Sequence, residues 1–311
     1  MKILVGNTGF VGSNLSQSGE FDIMVNSKNV TDAFGKKPEM LFFAGVRAEK
    51  YIANSNPAAD EKHICEAMEN IKRISPRSVV LISTVDVYKH PVEVTETSEI
   101  KAEFLSAYGL NRYRLECFVR ENFTDHLIVR LPGLYGNNLK KNFIFDMIHF
   151  IPSALTDIKI AELDSDFILK FYRKQLNGFY VLRDINIEER KQLTSYFMSV
   201  NFSALCFTDS RAKFQFYNLS HLKKHIDIAK NKGINLLNIV TEPCRADEIY
   251  RSVFNEEFNN ELKGAPPEYN IKSIHAGEFG GDGYYIFSKK TVIDDISQYV
   301  RLRKNLLLND R

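Results

Sequence analysis

The stretch KILVGNTGFVGSNL, residues 2–15, decides the fold. KILVG (2–6) is a short apolar run that stops at a glycine, and it reads as a buried strand. Gly6, Gly9 and Gly12 then follow at G-x-x-G-x-x-G spacing, and FVGSNLSQ (10–17) opens a helix. Glycines between a first strand and a helix permit a tight turn and a close backbone approach to a pyrophosphate. The helix's first N–H groups and its dipole favour the phosphates. This loop, with Thr8, Phe10 and Val11 between its glycines, is a candidate dinucleotide site. The alternative is a turn with only a structural role.

Outward from this loop, strand and helix patterns alternate. FDIMVN (21–26), MLFFAG (40–45), SVVLIST (78–84) and HLIVRLPGLYG (126–136, broken by Pro132) read as strands. NPAADEKHICEAMENIKRI (56–74), with Pro57 near its start, and EFLSAYGLNRYRLECFVREN (103–122) read as long helices. This order predicts an α/β fold with a Rossmann-like, doubly wound parallel sheet. The span from Asn26 to Met40 leaves room only for a small strand at NVTD and a single helical turn.

The second half is less regular. FILKFYRKQLNGFYVL (167–182) has β character with a turn at Asn177-Gly178, and IEERKQLTSYFMSV (187–200) is an amphipathic helix. AKFQFYNLSHLKKHIDIAKNKG (212–233) reads as strand, cap and helix, and EFGGDGYYIFSKK (278–290) as a glycine-rich loop entering a strand or helix. Two domains are expected. Residues 1–150 would bind the dinucleotide, and 151–311 would form a smaller, irregular, substrate-facing domain. A segment near 212–240 would return to the first.

Bulk properties narrow the function. The 311 residues carry 41 basic and 39 acidic side chains, a net +2 that gives no electrostatic footprint for nucleic acid or an anionic membrane. No stretch approaches the ~20 apolar residues of a membrane-spanning helix, and the apolar run of MKILVG is too short for a signal peptide. Cys65, Cys117, Cys206 and Cys244 are scattered, without a CxxC pair or a histidine at zinc-ligand spacing. Free thiols, no metal site and a soluble cytoplasmic protein are the expectation.

The second strand ends in Asn26, Ser27 and Lys28, where a carboxylate would normally hold the adenosine ribose. A hydroxyl and an ammonium without a carboxylate suit a 2′-phosphate, which favours NADP over NAD. The alternative is that Lys28 is a solvated loop lysine. Further along, Ser83 and Thr84 end the strand LISTVDVY, at the carboxyl edge where open α/β sheets bind ligands. Tyr108, Arg112 and Glu116 follow at i, i+4, i+8 and share one helix face.

Taken in order, GxxGxxG, Ser-Thr-x-x-Val-Tyr, Tyr-x-x-x-cation-x-x-x-Glu and VRLPGLYG resemble the extended short-chain dehydrogenase/reductase family, of the NAD-dependent epimerase/dehydratase kind. The match covers about residues 1–145. It implies a nicotinamide dinucleotide, a nucleotide-sugar substrate and hydride transfer, and it admits a homodimer. It implies that Thr84 polarises the substrate oxygen, that Tyr108 passes the proton, and that Arg112 stands where the family has a lysine. The lysine's task is to grip the ribose and lower the tyrosine pKa. Arg112 can supply charge but cannot deprotonate. Ala44, Gly45 and Pro132 join the implied cofactor contacts.

Other positions stay open. Asp86, two residues after Thr84, matches an acid of the family's dehydratases, or else it only caps a turn. Asn142 falls where the family has a substrate-binding asparagine, and His63 roughly where it has an asparagine on the preceding helix. Arg211 and Lys213 are candidates to neutralise a substrate diphosphate. The FGGDGYY loop (279–285) either covers a sugar or turns the chain. Two classes therefore compete: an enzyme that reduces, epimerises or dehydrates a nucleotide sugar, and a binding module that holds the dinucleotide without turnover.

Overall fold

In β1 (Lys2–Val5) successive side chains go to opposite faces: Ile3 and Val5 pack into one core layer, Leu4 into another. Both faces are apolar because both are covered, as a parallel sheet requires. The computed structural model describes residues 1–163, 165–175 and 178–309. After β1 come α1 (Phe10–Ser16), β2 (Ile23–Val25), β3 (Met40–Phe43), α2 (Lys50–Ser55) and α3 (Pro57–Ile74). β4 (Ser78–Thr84), α4 (Ala107–Asn122), β5 (His126–Leu131) and β6 (Gly133–Tyr135) follow.

Six strands form the main sheet, in the order Leu236–Asn238, β5, β4, β3, β1, β2, and every pairing is parallel. The register sets Val5 beside Phe43, Phe43 beside Leu81, and Thr84 beside Leu131. Ile64 and Ile71 of α3 and Leu115 and Val119 of α4 cover one face. Leu15 of α1 and Leu222, Ile226 and Ala229 of the helix Leu222–Asn231 cover the other. The direction in which successive strands are added reverses at β1, since β2 lies on one side of it and β3 on the other. Ligands in doubly wound sheets bind at the carboxyl edge of such a switch point.

Local chemistry corrects several expected boundaries. NVTD forms no strand: Val30–Ala33 is a 3-10 turn, too short a span to cross back and pair. The helix expected from Glu103 starts at Ala107, because Ser106 caps it by accepting the Gly109 N–H. Pro132 ends β5, and β6 pairs instead with Phe216–Asn218. The FGGDGYY region begins in a 3-10 turn, Ala276–Phe279, and of the strand or helix expected after it the chain forms the helix Lys289–Asn309. Asn177, expected in a turn with Gly178, lies outside the described residues.

The chain divides into two compact units. The first comprises Met1–Leu139, Lys213–Cys244 and Glu268–Val292, so the chain leaves it and returns twice. The second holds Lys140–Ala212, Arg245–Pro267 and the segment from Ile293. It contains a small antiparallel sheet of Ala154–Leu155, Tyr180–Leu182 and Tyr172–Lys174. Its core packs Leu155, Ile168, Phe171, Leu193 and Phe197, and the helix Ile187–Ser199 opens on an Asn186–Glu189 capping box. Among the described residues no helix is long and apolar enough to cross a membrane, and the four cysteines are free thiols.

Candidate active site

Parallel pairing brings the ends of β1, β3 and β4 to one edge, and with them Gly6, Ala44 and Thr84. Gly6 has φ +91°, and its N–H donates to Val25 O at 2.7 Å. A Cβ on Gly6 would come within 2.4 Å of the Ala44 carbonyl oxygen, and one on Gly12 within 2.0 Å of the Gly6 carbonyl oxygen. These glycines let the turn, β3 and α1 close on one another, and no side chain fits between them. Gly9 precedes α1 in extended conformation, with no side chain capping the helix. Inside the loop, the buried Oδ1 of Asn7 has no hydrogen-bond partner among the described residues. An orphaned acceptor at this depth marks a place for a ligand's donor.

At the end of β2, Asn26 Oδ1 accepts the Lys28 N–H at 2.9 Å, which leaves Ser27 and Lys28 exposed on a tight turn. Ala44 and Gly45 lie against the glycine loop. Thr8, Phe10 and Val11 belong to the loop and the first turn of α1, and Pro132 to the break between β5 and β6.

The end of β4 and the start of α4 meet through a glycine. A Cβ on Gly109 would lie 2.3 Å from the Asp86 carbonyl oxygen, so α4 can rest directly on the backbone that follows Thr84. That contact sets Tyr108, its N–H held by Asn54 Oδ1 at 3.0 Å, beside Thr84. β4 stops at Thr84, and Val85–Val87 forms a 3-10 turn in which Thr84 Oγ1 accepts the Asp86 N–H at 3.1 Å. Thr84 and Asp86 therefore do not share one side of a strand, since the turn has already begun. Thr84, not Asp86, is the capping side chain.

Tyr108 and Arg112 are both buried. The Arg112 guanidinium stacks on the Tyr108 ring at 4.0 Å from its centroid. Its fork is occupied: Nη1 pairs with the buried Asp60 of α3, and Nη2 donates to Arg47 O at 2.6 Å. Asn111 adds a hydrogen bond to the same Asp60 oxygen at 2.8 Å. Asp60 carried no sequence signal beyond being an acid in the first turn of a helix. His63, one turn on, is exposed.

Glu116, on the same helix face, does not pair with Arg112. It is fully buried and takes the Arg130 guanidinium at 3.0 and 2.6 Å, with the Ser83 hydroxyl donating at 2.6 Å. The helix face thus carries two separate buried ion pairs, one from α3 and one from β5.

The Tyr108 phenol is pushed above its ordinary pKa. Burial is the main cause; the Arg112 guanidinium opposes it, Asp86 adds to it, and Thr84 and Lys50 oppose it. Lys50, the first residue of α2, pairs with Asp86 at 2.7 Å, and the Tyr269 hydroxyl lies 3.4 Å from the same Asp86 oxygen. Neither Lys50 nor Tyr269 falls in a recognisable motif.

Three further sequence candidates have partners close by in the chain or on a neighbouring segment. Asn142, in the second unit, has φ +106° and caps the helix Phe143–Ile148 by accepting the Phe145 N–H. Arg211, in the same unit, pairs with Asp209 at 2.8 Å and Glu261 at 2.9 Å. Lys213, in the first unit, pairs with Glu268 at 2.7 Å.

No protein-family model matches the sequence, and no curated protein matches it. Solved structures match over nearly the whole chain. The dTDP-4-dehydrorhamnose reductase of Clostridium acetobutylicum superposes with a TM-score of 0.62 at 15% identity, over 97% of this chain and 99% of that one. The same enzyme from Bacillus anthracis, in complex with NADP, gives 0.61 at 14% identity, over 96% of each chain. The UDP-glucose 4-epimerase of Thermotoga maritima, with UDP-glucose, gives 0.60 at 15% identity, over 98% of this chain and 100% of that one. Identities this low speak to fold, and the fold of this chain is that of the extended short-chain dehydrogenase/reductases that its motifs resemble.

Proposed function

We propose that the chain is a nicotinamide-dependent enzyme that reduces or epimerises a nucleotide sugar, with NADP(H) preferred to NAD(H). One observation carries this reading: the glycine cradle of β1 and the Thr84–Tyr108 pair lie along the same sheet edge. The glycine loop fits a dinucleotide, because its carbonyls and amides are bare of side chains and Asn7 offers an unpartnered acceptor. Ser27 and Lys28 would meet a 2′-phosphate at the end of β2. The resemblance, and the nucleotide sugars in the names of similar structures, support the substrate class.

In this reading the Tyr108 hydroxyl gives its proton to a substrate oxygen as negative charge develops there, and takes it back in the reverse direction. The Thr84 hydroxyl donates a second hydrogen bond to the same oxygen. A bound nicotinamide would supply or accept the hydride. Burial keeps the free phenol protonated at neutral pH, which suits the reducing direction. The dehydratase alternative is weaker, because the Asp86 carboxylate is engaged by Lys50.

The non-catalytic alternative draws its support from Arg112, whose charge is taken up by Asp60. Calorimetric titration with NADPH and NADH, followed by loss of NADPH absorbance with a panel of UDP- and dTDP-4-keto sugars, separates the two. Binding without turnover would favour the module.

A further inference from the structure

The Tyr108 phenol, with the Asp86 carboxylate that acts on it, has charged and titratable neighbours from several elements. Arg112 lies on its own helix, Asp86 follows β4, Lys50 opens α2, and Tyr269 reaches Asp86 from the segment that re-enters the first unit. Asp60 of α3 stands behind Arg112. The positions of these groups are not equivalent. Arg112 is only 5% exposed and hydrogen-bonded at both ends of its fork, so it is held in place, and it has no proton it can release. Asp86 is fixed by its backbone, with its N–H on Thr84 and its carbonyl against Gly109. It therefore brings a carboxylate to the group that must carry negative charge once Tyr108 gives up its proton. A like charge there disfavours the phenolate.

We propose that Lys50 is a positioning residue that neutralises Asp86 beside Tyr108, so that the phenol can release its proton and regain it. This rests on the proposed role of Tyr108. The ammonium lies 2.7 Å from Asp86 Oδ1 and the Tyr269 hydroxyl 3.4 Å from the same oxygen, so the carboxylate is held from two sides. Lys50 takes no part in the transfer. The phenol O–H bond breaks, an O–H bond forms on the substrate oxygen, and water later restores the proton. The causes that act on Tyr108 agree with this assignment: Asp86 raises its pKa and Lys50 lowers it. A cation in this task can come from any element that reaches Asp86, which explains how the α4 position can hold an arginine turned toward Asp60.

The test places a fluorinated tyrosine at position 108 of the full chain and follows its ionisation by fluorine NMR, without substrate or dinucleotide. Fluorination lowers the phenol's midpoint, so that it is reached at a less alkaline pH. Lys50→Met is expected to raise that midpoint, and Lys50→Arg to leave it near the parent value. In Lys50→Met/Asp86→Asn the midpoint should return to the parent value or below, because the unpaired carboxylate is gone. The same three variants with unmodified Tyr108 should show kcat reduced about tenfold for Lys50→Met alone, with KM and NADPH affinity little changed. A midpoint that Lys50→Met does not move, or that the double variant does not restore, overturns the proposal. The expected midpoints in a chain that turns over no sugar nucleotide would uphold the electrostatic assignment and overturn the enzymatic reading instead.

Discussion

Arg112 and Asp60 form a buried ion pair between two helices, and the guanidinium lies 4.0 Å from the centroid of the Tyr108 ring. The pair is 5% and 7% exposed for the arginine and the aspartate respectively, so neither charge has water to fall back on.

Removing one partner leaves the other charged and desolvated. Asp60→Ala or Arg112→Met is expected to lower the stability by about 3–5 kcal/mol each. The double variant Asp60→Ala/Arg112→Met should cost less than the sum of the two. Urea denaturation of the four proteins checks this, and strictly additive losses would refute a coupled pair.

Tyr108→Phe deletes a hydroxyl and keeps the ring under Arg112. Turnover should fall by about 10²-fold or more while dinucleotide affinity stays within a factor of about two. Normal turnover with a genuine sugar-nucleotide substrate would remove Tyr108 from the chemistry.

Gly109→Ala tests the same site from outside it. The added methyl would meet the Asp86 carbonyl oxygen at 2.3 Å, so α4 must lift off the end of β4 and carry Tyr108 away from Thr84. A stability loss of about 1–3 kcal/mol should come with a fall in kcat of at least about tenfold. Unchanged kcat in a folded Gly109→Ala protein would show that this contact does not set the pair.

The glycine loop and the ribose turn make separable contributions. Gly12→Ala has no room beside Gly6 O and should weaken NADPH and NADH alike, by at least about tenfold. Lys28→Ala should weaken NADPH alone, by about 1–3 kcal/mol. Parallel calorimetric titrations distinguish the two, and equal losses for both nucleotides in Lys28→Ala would withdraw the NADP preference.

His225 gives the first unit a pH dependence. It is buried with its Nδ1 2.8 Å from the Tyr217 hydroxyl, and burial first, then His221 and Lys224, lower its pKa from 6.5 to about 4. Below pH 6.5 the unfolded chain takes up a proton that the folded chain refuses until about pH 4. Stability should be fully present above that window and fall by roughly 2–3 kcal/mol across it. His149 of the second unit, also lowered to about 4 by burial, adds a similar slope. His225→Gln should therefore flatten about half of this part of the curve of unfolding free energy against pH.

The legible part of this chain was the part written in local pattern. Apolar runs such as MLFFAG and SVVLIST can be buried on both faces only as inner parallel strands, and glycines 6, 9 and 12 have one workable place between strand and helix. The parallel sheet, with the glycine loop at its carboxyl edge, follows from that pattern, whereas the strand order, with Leu236–Asn238 as an edge strand, does not. Charge partners do not follow in this way. Tyr108, Arg112 and Glu116 share a helix face in the sequence, yet Arg112 found Asp60 at 52 residues' separation, Glu116 found Arg130 at 14, and Asp86 found Lys50 at 36. Those choices depend on how α2, α3 and β5 settle against α4, to within an ångström or two. A carboxylate on a helix looks the same in sequence whether it faces water or a buried guanidinium. Side-chain period fixes which face is buried, but only tertiary packing fixes which buried charge meets which, because ion pairing needs contact distance and the hydrophobic pattern needs only the right side of the helix.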